Sequence, residues 1–190
     1  QGCLSLGGSA PATSGPGGMF MSADKGESWQ TINKFPTAEG VRDLSSASVY
    51  GLIQDPHDVH AYYWLSRGHG VFYTYDDGKT WRAPLGQFTT GFAYSLAIHP
   101  KNKCILYGTT GNRVYRTDDC GRTWKELYRE ARGDTRVSSL AFNPYEPHQI
   151  FMAETNGDLL VSNNEGVSWK TMKRFGVSLT KIVFDSRHSG

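Results

Sequence analysis

Apolar residues recur along this chain in short runs separated by turn-forming residues, a pattern typical of β-strands. Three apolar-rich runs end at a proline: VYGLIQDP at 49–56, YSLAIHP at 94–100 and SSLAFNP at 138–144. Each is followed by a second run and, after a glycine-containing turn, by a third run with apolar residues at or near alternate positions. The second runs are HAYYWLS, CILYGTT and QIFMAET, and the third are GVFYTYD, RVYRTDD and DLLVSNN. The pattern predicts a repeated four-stranded meander, whose short fourth strand starts at a tryptophan.

An eight-residue segment that ends on this tryptophan occurs four times. The copies are SADKGESW at 22–29, TYDDGKTW at 74–81, TDDCGRTW at 117–124 and SNNEGVSW at 162–169. They share Ser or Thr, then Asp or Asn, then Gly, then Ser or Thr before Trp, at fixed positions. Their tryptophans lie 52, 43 and 45 residues apart, which is within or close to the length of one propeller blade. We call these segments the octapeptide turns.

The octapeptide turn resembles the Asp-box, or BNR repeat, of β-propeller proteins. With the LAIHP and LAFNP phrases and the sequence RVYRTDDCGRTW at 113–124, the chain is most similar to the photosystem II stability/assembly-factor-like family. The sortilin-type propellers are the next most similar. The resemblance covers about residues 19–190 and implies an all-β fold, a β-propeller of four-stranded antiparallel blades.

The repeats also predict how the chain is divided. Residues 1–18 are rich in Gly, Ser, Ala and Pro and indicate a flexible tether. The propeller blades are predicted at 19–33, 41–90, 91–135 and 136–175, and LTKIVFD in 176–190 would open the next blade. Because propellers usually contain four to eight blades, we expect an incomplete propeller. The alternative is a small ring closed by the first and last strands.

The octapeptide turns are interpreted as structural elements. The Asp or Asn and the hydroxyl residues would accept hydrogen bonds within the turn, Gly would take a positive φ, and Trp would enter the core. The alternative is a Ca²⁺ site, since clustered carboxylate oxygens suit that ion, but each turn has only one or two carboxylates, and no metal site is predicted. The residues concerned are Ser22, Asp24, Gly26, Trp29, Thr74, Asp76, Gly78, Trp81, Thr117, Asp119, Gly121, Trp124, Ser162, Asn164, Gly166 and Trp169.

The three cysteines bear on the cellular compartment. Gly2-Cys3 before the tether resembles the lipid-modified end of a bacterial lipoprotein, which makes Cys3 a candidate lipidation site, although a lone cysteine in a tail is the other interpretation. Cys104 opens a second strand and Cys120 lies in the following turn between strands three and four, so both belong to one rim of the same blade. A disulfide between them is geometrically feasible and typical of exported proteins, with two separate thiols the slightly favoured alternative. We expect an exported protein, periplasmic or on the cell surface.

Composition and motifs indicate no catalytic site. The formal charge of +2 is too small to indicate nucleic-acid binding. The six histidines are dispersed, and neither a Gly-x-Ser-x-Gly motif nor a phosphate-binding loop occurs. Sialidases also contain Asp-boxes, but their early Arg-Ile-Pro motif has no match, and no Tyr or Arg can be assigned a sialidase role. No cofactor is predicted, and a sialidase-like glycoside hydrolase or carbohydrate-binding propeller remains the alternative function.

The predicted topology separates charges between two faces. Acidic residues of the octapeptide turns, such as Asp77 and Asp118, collect on one edge, and a set of arginines collects on the opposite face. That basic face would bind an acidic or membrane-protein segment, or its arginines are merely solvated. By its resemblance to assembly factors, the chain is expected to be a non-catalytic binding scaffold. The candidate partner-binding residues are Arg67, Arg113, Arg129, Arg132, Arg136 and Arg174.

Overall fold

The computed structural model describes residues 17–185, which form sixteen β-strands and no helix. This part of the chain therefore holds no helical segment able to cross a membrane. Cys3 lies outside the described residues. The strands before residue 49 form two hairpins, β1 with β2 and β3 with β4. Their bounds are β1 Phe20–Met21, β2 Gln30–Thr31, β3 Lys34–Thr37 and β4 Gly40–Asp43.

Three antiparallel meanders follow, and they make up the body of the fold. The first sheet contains β5 Val49–Asp55, β6 Asp58–Ser66 and β7 Val71–Thr74. After the short strand β8 Leu85–Gly86, the second sheet contains β9 Ala93–His99, β10 Asn102–Thr110, β11 Arg113–Thr117 and β12 Thr123–Arg129. The third sheet contains β13 Val137–Phe142, β14 Ile150–Glu154, β15 Asp158–Ser162 and β16 Lys170–Arg174. The chain is thus an all-β protein built from propeller blades.

The core lies between the sheets. One buried cluster joins Tyr63 of the first sheet to Leu106 and Trp124 of the second. Another joins Tyr107 of the second sheet to Ile150 of the third. Each sheet therefore buries its apolar surface against its neighbour, which is how a repeat architecture is stabilised.

The first sheet differs from the predicted meander because its fourth strand is reduced to a single bridge between Tyr73 and Arg82. Pro84 follows two residues later, and proline has no N–H to continue a ladder. The chain then leaves the first sheet, and β8 pairs in parallel with β12 of the second.

The N-terminal blade is also smaller than the repeat suggests. Residues 34–43 form the hairpin β3–β4, which the sequence pattern did not predict, and Phe35 packs edge-on against Phe72 with ring centroids 5.8 Å apart. Gly17 and Gly18, assigned to the tether by composition, lie against Asn33. Trp29 is 63% exposed, whereas Trp81 and Trp124 are 1% and 3% exposed. The expectation that every octapeptide tryptophan enters the core is wrong for Trp29, because no earlier sheet among the described residues packs over it.

Residues 176–185 are not assigned as a strand, but they lie where the first strand of a further blade would lie. The amide of Ile182 donates to Ser139 Oγ at 3.1 Å, just as the amide of Leu140 donates to Ser95 Oγ at 3.1 Å. Ser95 and Ser139 occupy equivalent positions on the first strands of neighbouring blades. The predicted strand is absent because no second strand pairs with this segment among residues 17–185.

Candidate functional site

One face of the molecule carries the turns between second and third strands and the connections between blades. We call it the connection face. Backbone hydrogen bonds tie each turn to the adjacent connection: Gly70 N to Gly91 O at 3.0 Å, Val137 N to Gly111 O at 2.9 Å and Phe175 N to Gly157 O at 2.9 Å. The octapeptide turns lie at the opposite ends of the same strands. All six candidate arginines belong to the connection face.

A cavity of about 490 Å³ lies between the first strands of the three sheets. Its walls come from β5, β9 and β13, and residues 180–182 form a fourth side. Tyr50 and Tyr94 line it at the starts of β5 and β9, so the cavity opens towards the connection face. Ser95, Ser138 and Lys181 add polar groups to the walls. A largely preformed concave site with few polar groups is the usual form of a binding pocket.

Aromatic rings and one arginine form a cluster at this opening, which we call the aromatic platform: Tyr50, Arg67, Phe92 and Tyr94. The rings of Phe92 and Tyr94 are stacked with centroids 4.1 Å apart, and Tyr50 meets Phe92 edge-on at 4.6 Å. The Arg67 guanidinium lies 5.9 Å from the Tyr50 centroid and 5.7 Å from the Phe92 centroid, within the range of cation–π attraction. Tyr50 is 46% exposed, so part of the platform faces solvent.

Arg67 differs from most of the candidate arginines because no carboxylate within residues 17–185 pairs with it. Its side chain is exposed, and the rings hold it in place while its N–H groups stay free for a ligand. Arginine presents those donors in a planar fork suited to carboxylates. The platform is therefore able to bind an anionic group beside an apolar one.

Arg132 is occupied by internal ion pairs. Its Nε atom donates to Glu130 at 2.7 Å, Nη2 to Glu154 at 3.0 Å and Nη1 to Asp158 at 3.2 Å. These contacts tie the connection that follows β12 to β14 and β15 of the third sheet. The pKa of Glu130 is lowered to about 2, and the hydrogen bond from Arg132 is the largest cause.

Glu154 is the unusual member of this network. It is fully buried, and one of its oxygens, Oε1, has no hydrogen-bond partner within the described residues. Burial, together with the charges of Glu130 and Asp158, raises the pKa of Glu154 to about 7, although Arg132 acts in the opposite direction. A group with no exposed surface cannot contact a substrate, so Glu154 is a structural carboxyl group.

The remaining candidate arginines divide into paired and unpaired groups. Arg129 makes a two-pronged contact with Glu126 at 2.8 and 2.9 Å, and Arg113 lies 3.6 Å from the same carboxylate. Arg174 lies 3.3 Å from Asp158. No ion pair of Arg136 occurs within residues 17–185, where its backbone N–H donates to Thr155 Oγ1 at 3.0 Å. The charge available on the predicted basic face therefore comes from Arg67 and Arg136, and four of the six arginines are neutralised by neighbours.

Cys104 and Cys120 are joined by a disulfide, so the slightly favoured alternative of separate thiols is wrong. The Cys120 N–H also donates to the Cys104 carbonyl at 3.1 Å. The same backbone bond joins Asp77 to His60 at 3.1 Å and Glu165 to His148 at 3.0 Å in the other two sheets. In the first sheet the side chains at these positions form an ion pair, with His60 Nδ1 2.9 Å from Asp77.

The octapeptide turns share one internal hydrogen-bond pattern. In each, the first hydroxyl accepts the glycine N–H, for example Gly121 N to Thr117 Oγ1 at 3.1 Å. The Asp or Asn side chain then accepts the amide four positions on, as Asp119 does from Thr123 N at 2.9 Å, and Asp119 also accepts from Thr123 Oγ1 at 2.6 Å. Internal donors already occupy these oxygens, and the described residues contain no cluster of three or more potential metal ligands.

Sequence reasoning missed the aromatic platform. Tyr50 and Tyr94 lie 44 residues apart at equivalent positions, where the third repeat has Ser138. Aligning the blades would therefore have shown two aromatic residues at the start of neighbouring first strands. The contact of Arg67 with Tyr50 and Phe92 depends on the turn after β6, and it has no signal in the sequence.

Residues 17–133, more than half of the chain, match the family model described as Sortilin-Vps10 (sortilin, neurotensin receptor 3). Among curated proteins, vacuolar protein sorting/targeting protein 10 of Aspergillus flavus is 24% identical over 182 residues, which cover 78% of this chain and 12% of that protein. The photosystem II assembly protein Ycf48 of Thermosynechococcus vestitus is 24% identical over 187 residues, 96% of this chain and 50% of that protein. The chain thus spans half or less of these relatives.

Solved structures give the same fold with different activities. A Niastella koreensis GH74 enzyme superposes with a TM-score of 0.63 at 18% identity, over 73% of this chain and 24% of the enzyme. A structure of Ycf48 bound to a D1 peptide superposes with a TM-score of 0.52 at 15% identity, over 67% of this chain and 46% of that one. At these identities the likeness shows the β-propeller fold alone.

Proposed function

Since this chain belongs to the Sortilin-Vps10 family, we propose that it is a non-catalytic binding module that holds an acidic segment of a partner protein at the aromatic platform. The observation that carries the proposal is the position of Arg67. Its unpaired guanidinium lies over Tyr50 and Phe92, at the opening of the cavity between β5, β9 and β13. The complex of the related Ycf48 fold with a D1 peptide supports a peptide as the ligand.

The electrostatics of the connection face favour this site over the four paired arginines. A ligand carboxylate at Arg129 or Arg132 would have to displace Glu126 or Glu130, which are already bonded at 2.7–2.9 Å. At Arg67 it displaces only water, and the neighbouring rings offer apolar contact to an adjacent ligand side chain. Aromatic residues and arginine are also the side chains that most often dominate binding energy at protein interfaces.

Binding of a defined peptide tests the proposal. The probe is a fluorescent peptide that alternates Glu and Tyr and is blocked at both ends, titrated by anisotropy. We expect Arg67→Ala to weaken binding at least tenfold and Arg129→Ala, the matched paired arginine, to leave it unchanged. Affinity should fall as salt rises from about 0.05 to 0.5 M, because the Debye screening length shortens several-fold. Equal binding by wild type and Arg67→Ala would refute the site.

Carbohydrate binding is the second candidate, because exposed aromatic rings also stack on sugars and the chain superposes on a GH74 enzyme. An enzyme of that kind needs two carboxyl groups that reach the substrate. Within residues 17–185, the one carboxyl group on this face with a raised pKa, that of Glu154, is fully buried. Titration with xyloglucan oligosaccharides distinguishes the two: saturable binding that is lost in Tyr50→Ala but retained in Arg67→Ala would favour the sugar.

We further propose an exported protein, periplasmic or on the cell surface, attached to the membrane through lipid on Cys3. The disulfide Cys104–Cys120 supports an oxidising compartment, and the Gly/Ser/Pro-rich sequence after Cys3 supports a tether. Mass spectrometry of the protein isolated from its source, with Cys3→Ser as the control, should find acyl groups on residue 3. Unmodified Cys3 in the membrane-free fraction would contradict the anchor.

A further inference from the structure

In two sheets, the fourth-strand segment that begins at the octapeptide tryptophan is hydrogen-bonded on its outer side by the segment that arrives from the preceding blade. In the first sheet, the N–H of Trp81 donates to the carbonyl of Lys34 in β3 at 2.8 Å. In the second sheet, β8 pairs in parallel with the start of β12, and the N–H of Glu126 donates to Gln87 Oε1 at 2.8 Å. Backbone donors at the outer edge are thus satisfied in both places.

The third sheet lacks this outer pairing. Its strand order ends at β16, and no strand within residues 17–185 lies beyond it. The segment in the corresponding position follows β12 but turns inward, because Glu130 N donates to Asn112 O at 2.8 Å and Arg132 joins the carboxylate network. The indole N–H of Trp169 is also buried without an acceptor, whereas that of Trp124 donates to Gly121 O at 3.1 Å.

The repeat identifies which donors face outward at this edge. Glu126, whose N–H points to the outer side, lies opposite Tyr115 in the ladder, and Thr171 lies opposite Leu160 in the same way. Both ladders have the same irregularity immediately before these pairs. The N–H of Thr171 therefore points outward, as that of Glu126 does.

The side chains around this edge determine which kind of partner strand it would bind. All five residues of β16 are exposed. Lys170 and Lys173 make the strand basic, Arg174 is paired with Asp158, and residues 166–175 contain no acidic residue. Met172 and Val167 are exposed apolar neighbours. Two copies of so basic a strand would repel each other if they paired edge to edge, whereas an acidic strand would be attracted.

We propose that the outer edge of β16 binds an extended acidic segment of a partner protein by strand addition, in the parallel orientation that β8 adopts on β12. Backbone hydrogen bonds to the open edge supply the attachment, and the lysines select for acidic side chains. This surface is separate from the aromatic platform and does not depend on the function proposed for it.

A blocked, fluorescent peptide of alternating Glu and Val is the probe, and anisotropy is the measurement. Thr171→Pro removes the outward N–H without removing a bond to β15, and it should weaken binding at least tenfold. Thr171→Val, which keeps the N–H, should bind like wild type. A peptide of alternating Lys and Val should not bind, and Lys170→Glu with Lys173→Glu should reverse the preference between the two peptides.

A second measurement leaves the protein unchanged, in case Thr171→Pro fails to fold. Two versions of the Glu–Val peptide are made, each methylated on one of the two sets of alternate backbone nitrogens. Only one set faces the open edge, so methylation of that set should weaken binding at least tenfold. In the Arg67→Ala variant, where the aromatic platform no longer contributes, the unmethylated peptide should still bind and its binding should still depend on Thr171. Binding that survives in both methylated versions, or that depends on Arg67 and not on Thr171, would overturn the proposal.

Discussion

The hydroxyl of Tyr107 donates a hydrogen bond of 2.8 Å to the backbone carbonyl of Glu165, a residue 58 positions later in the chain. Tyr107 belongs to β10 of the second sheet, and Glu165 lies in the octapeptide turn of the third. One blade earlier, Tyr75 of the octapeptide turn after β7 donates to the carbonyl of Cys120, which is the position equivalent to Glu165. Neighbouring blades are therefore joined by a directional bond as well as by apolar packing.

Tyr107→Phe tests this link. The change keeps the ring and removes a buried hydrogen bond that also involves Arg116, so we expect a loss of about 1–2 kcal/mol in the free energy of unfolding. Urea denaturation measures it. Tyr50→Phe, at an exposed ring, is the control and should change stability by less than about 0.5 kcal/mol; equal effects would show that the Tyr107 hydroxyl contributes nothing.

The octapeptide tryptophans should differ in their contribution to stability. Trp124 is 3% exposed and packs in the cluster between the first and second sheets, so Trp124→Ala should cost on the order of 3–5 kcal/mol. Trp29 is 63% exposed, and Trp29→Ala should cost less than about 1 kcal/mol. Thermal and urea melts of both variants give the comparison. Similar losses would mean that Trp29 is covered in solution.

Glu154→Gln should change how stability depends on pH. Because the folded-state pKa of about 7 exceeds the ordinary 4.5, folding favours the protonated form, and this contribution is full below pH 4.5 and lost as pH rises through 7. The neutral variant avoids that loss. Its stability relative to wild type should rise between pH 5 and 8, by at most about 3 kcal/mol.

Glu126→Gln is the control with the opposite sign. Hydrogen bonds from Arg129 are the main cause that lowers the pKa of Glu126, so its carboxylate stabilises the fold above its unfolded pKa and loses that effect as pH falls. The variant should be less stable than wild type at pH 8 and converge with it in acid. Parallel pH profiles for the two variants would contradict the assignment for Glu154.

The disulfide should contribute more than the ion pair at the same positions in the neighbouring sheet. Cys104 and Cys120 are 16 residues apart, and closing a loop of that size is worth about 3 kcal/mol, which the double change Cys104→Ser and Cys120→Ser would remove. His60→Asn should cost less than about 1 kcal/mol, because His60 and Asp77 are both well exposed. Denaturation with and without a reductant measures the difference, and a melt unchanged by reduction would show that the bond does not form in solution.

Local sequence signals predicted the parts of the fold that local chemistry determines. Alternating apolar residues and the octapeptide turns located the three sheets, since turn residues and strand periodicity act over a few positions. The missing fourth strand of the first sheet could have been suspected from Pro84. The hairpin at 34–43 has only a short, mixed pattern, and its pairing is stabilised by Phe35 against Phe72 on another sheet.

The candidate site was predicted less completely because ion pairing depends on distant residues. Topology predicted the six arginines on one face, but it did not predict that Arg132 pairs with Glu154 and Asp158, 22 and 26 positions later. Their side-chain directions follow from strand register, which the sequence pattern does not specify to one residue. The contact of Arg67 with Tyr50 was not predicted for the same reason.

The backbone bond that joins Asp77 to His60, Cys120 to Cys104 and Glu165 to His148 makes these side-chain positions interchangeable. The backbone hydrogen bond alone brings the second strand and the octapeptide turn together there. Each repeat can therefore carry a different pair of side chains at these two positions. We therefore expect the fold to accept engineered disulfides at these positions. His148→Cys combined with Glu165→Cys would introduce a second disulfide in the third sheet, without redesign of any turn.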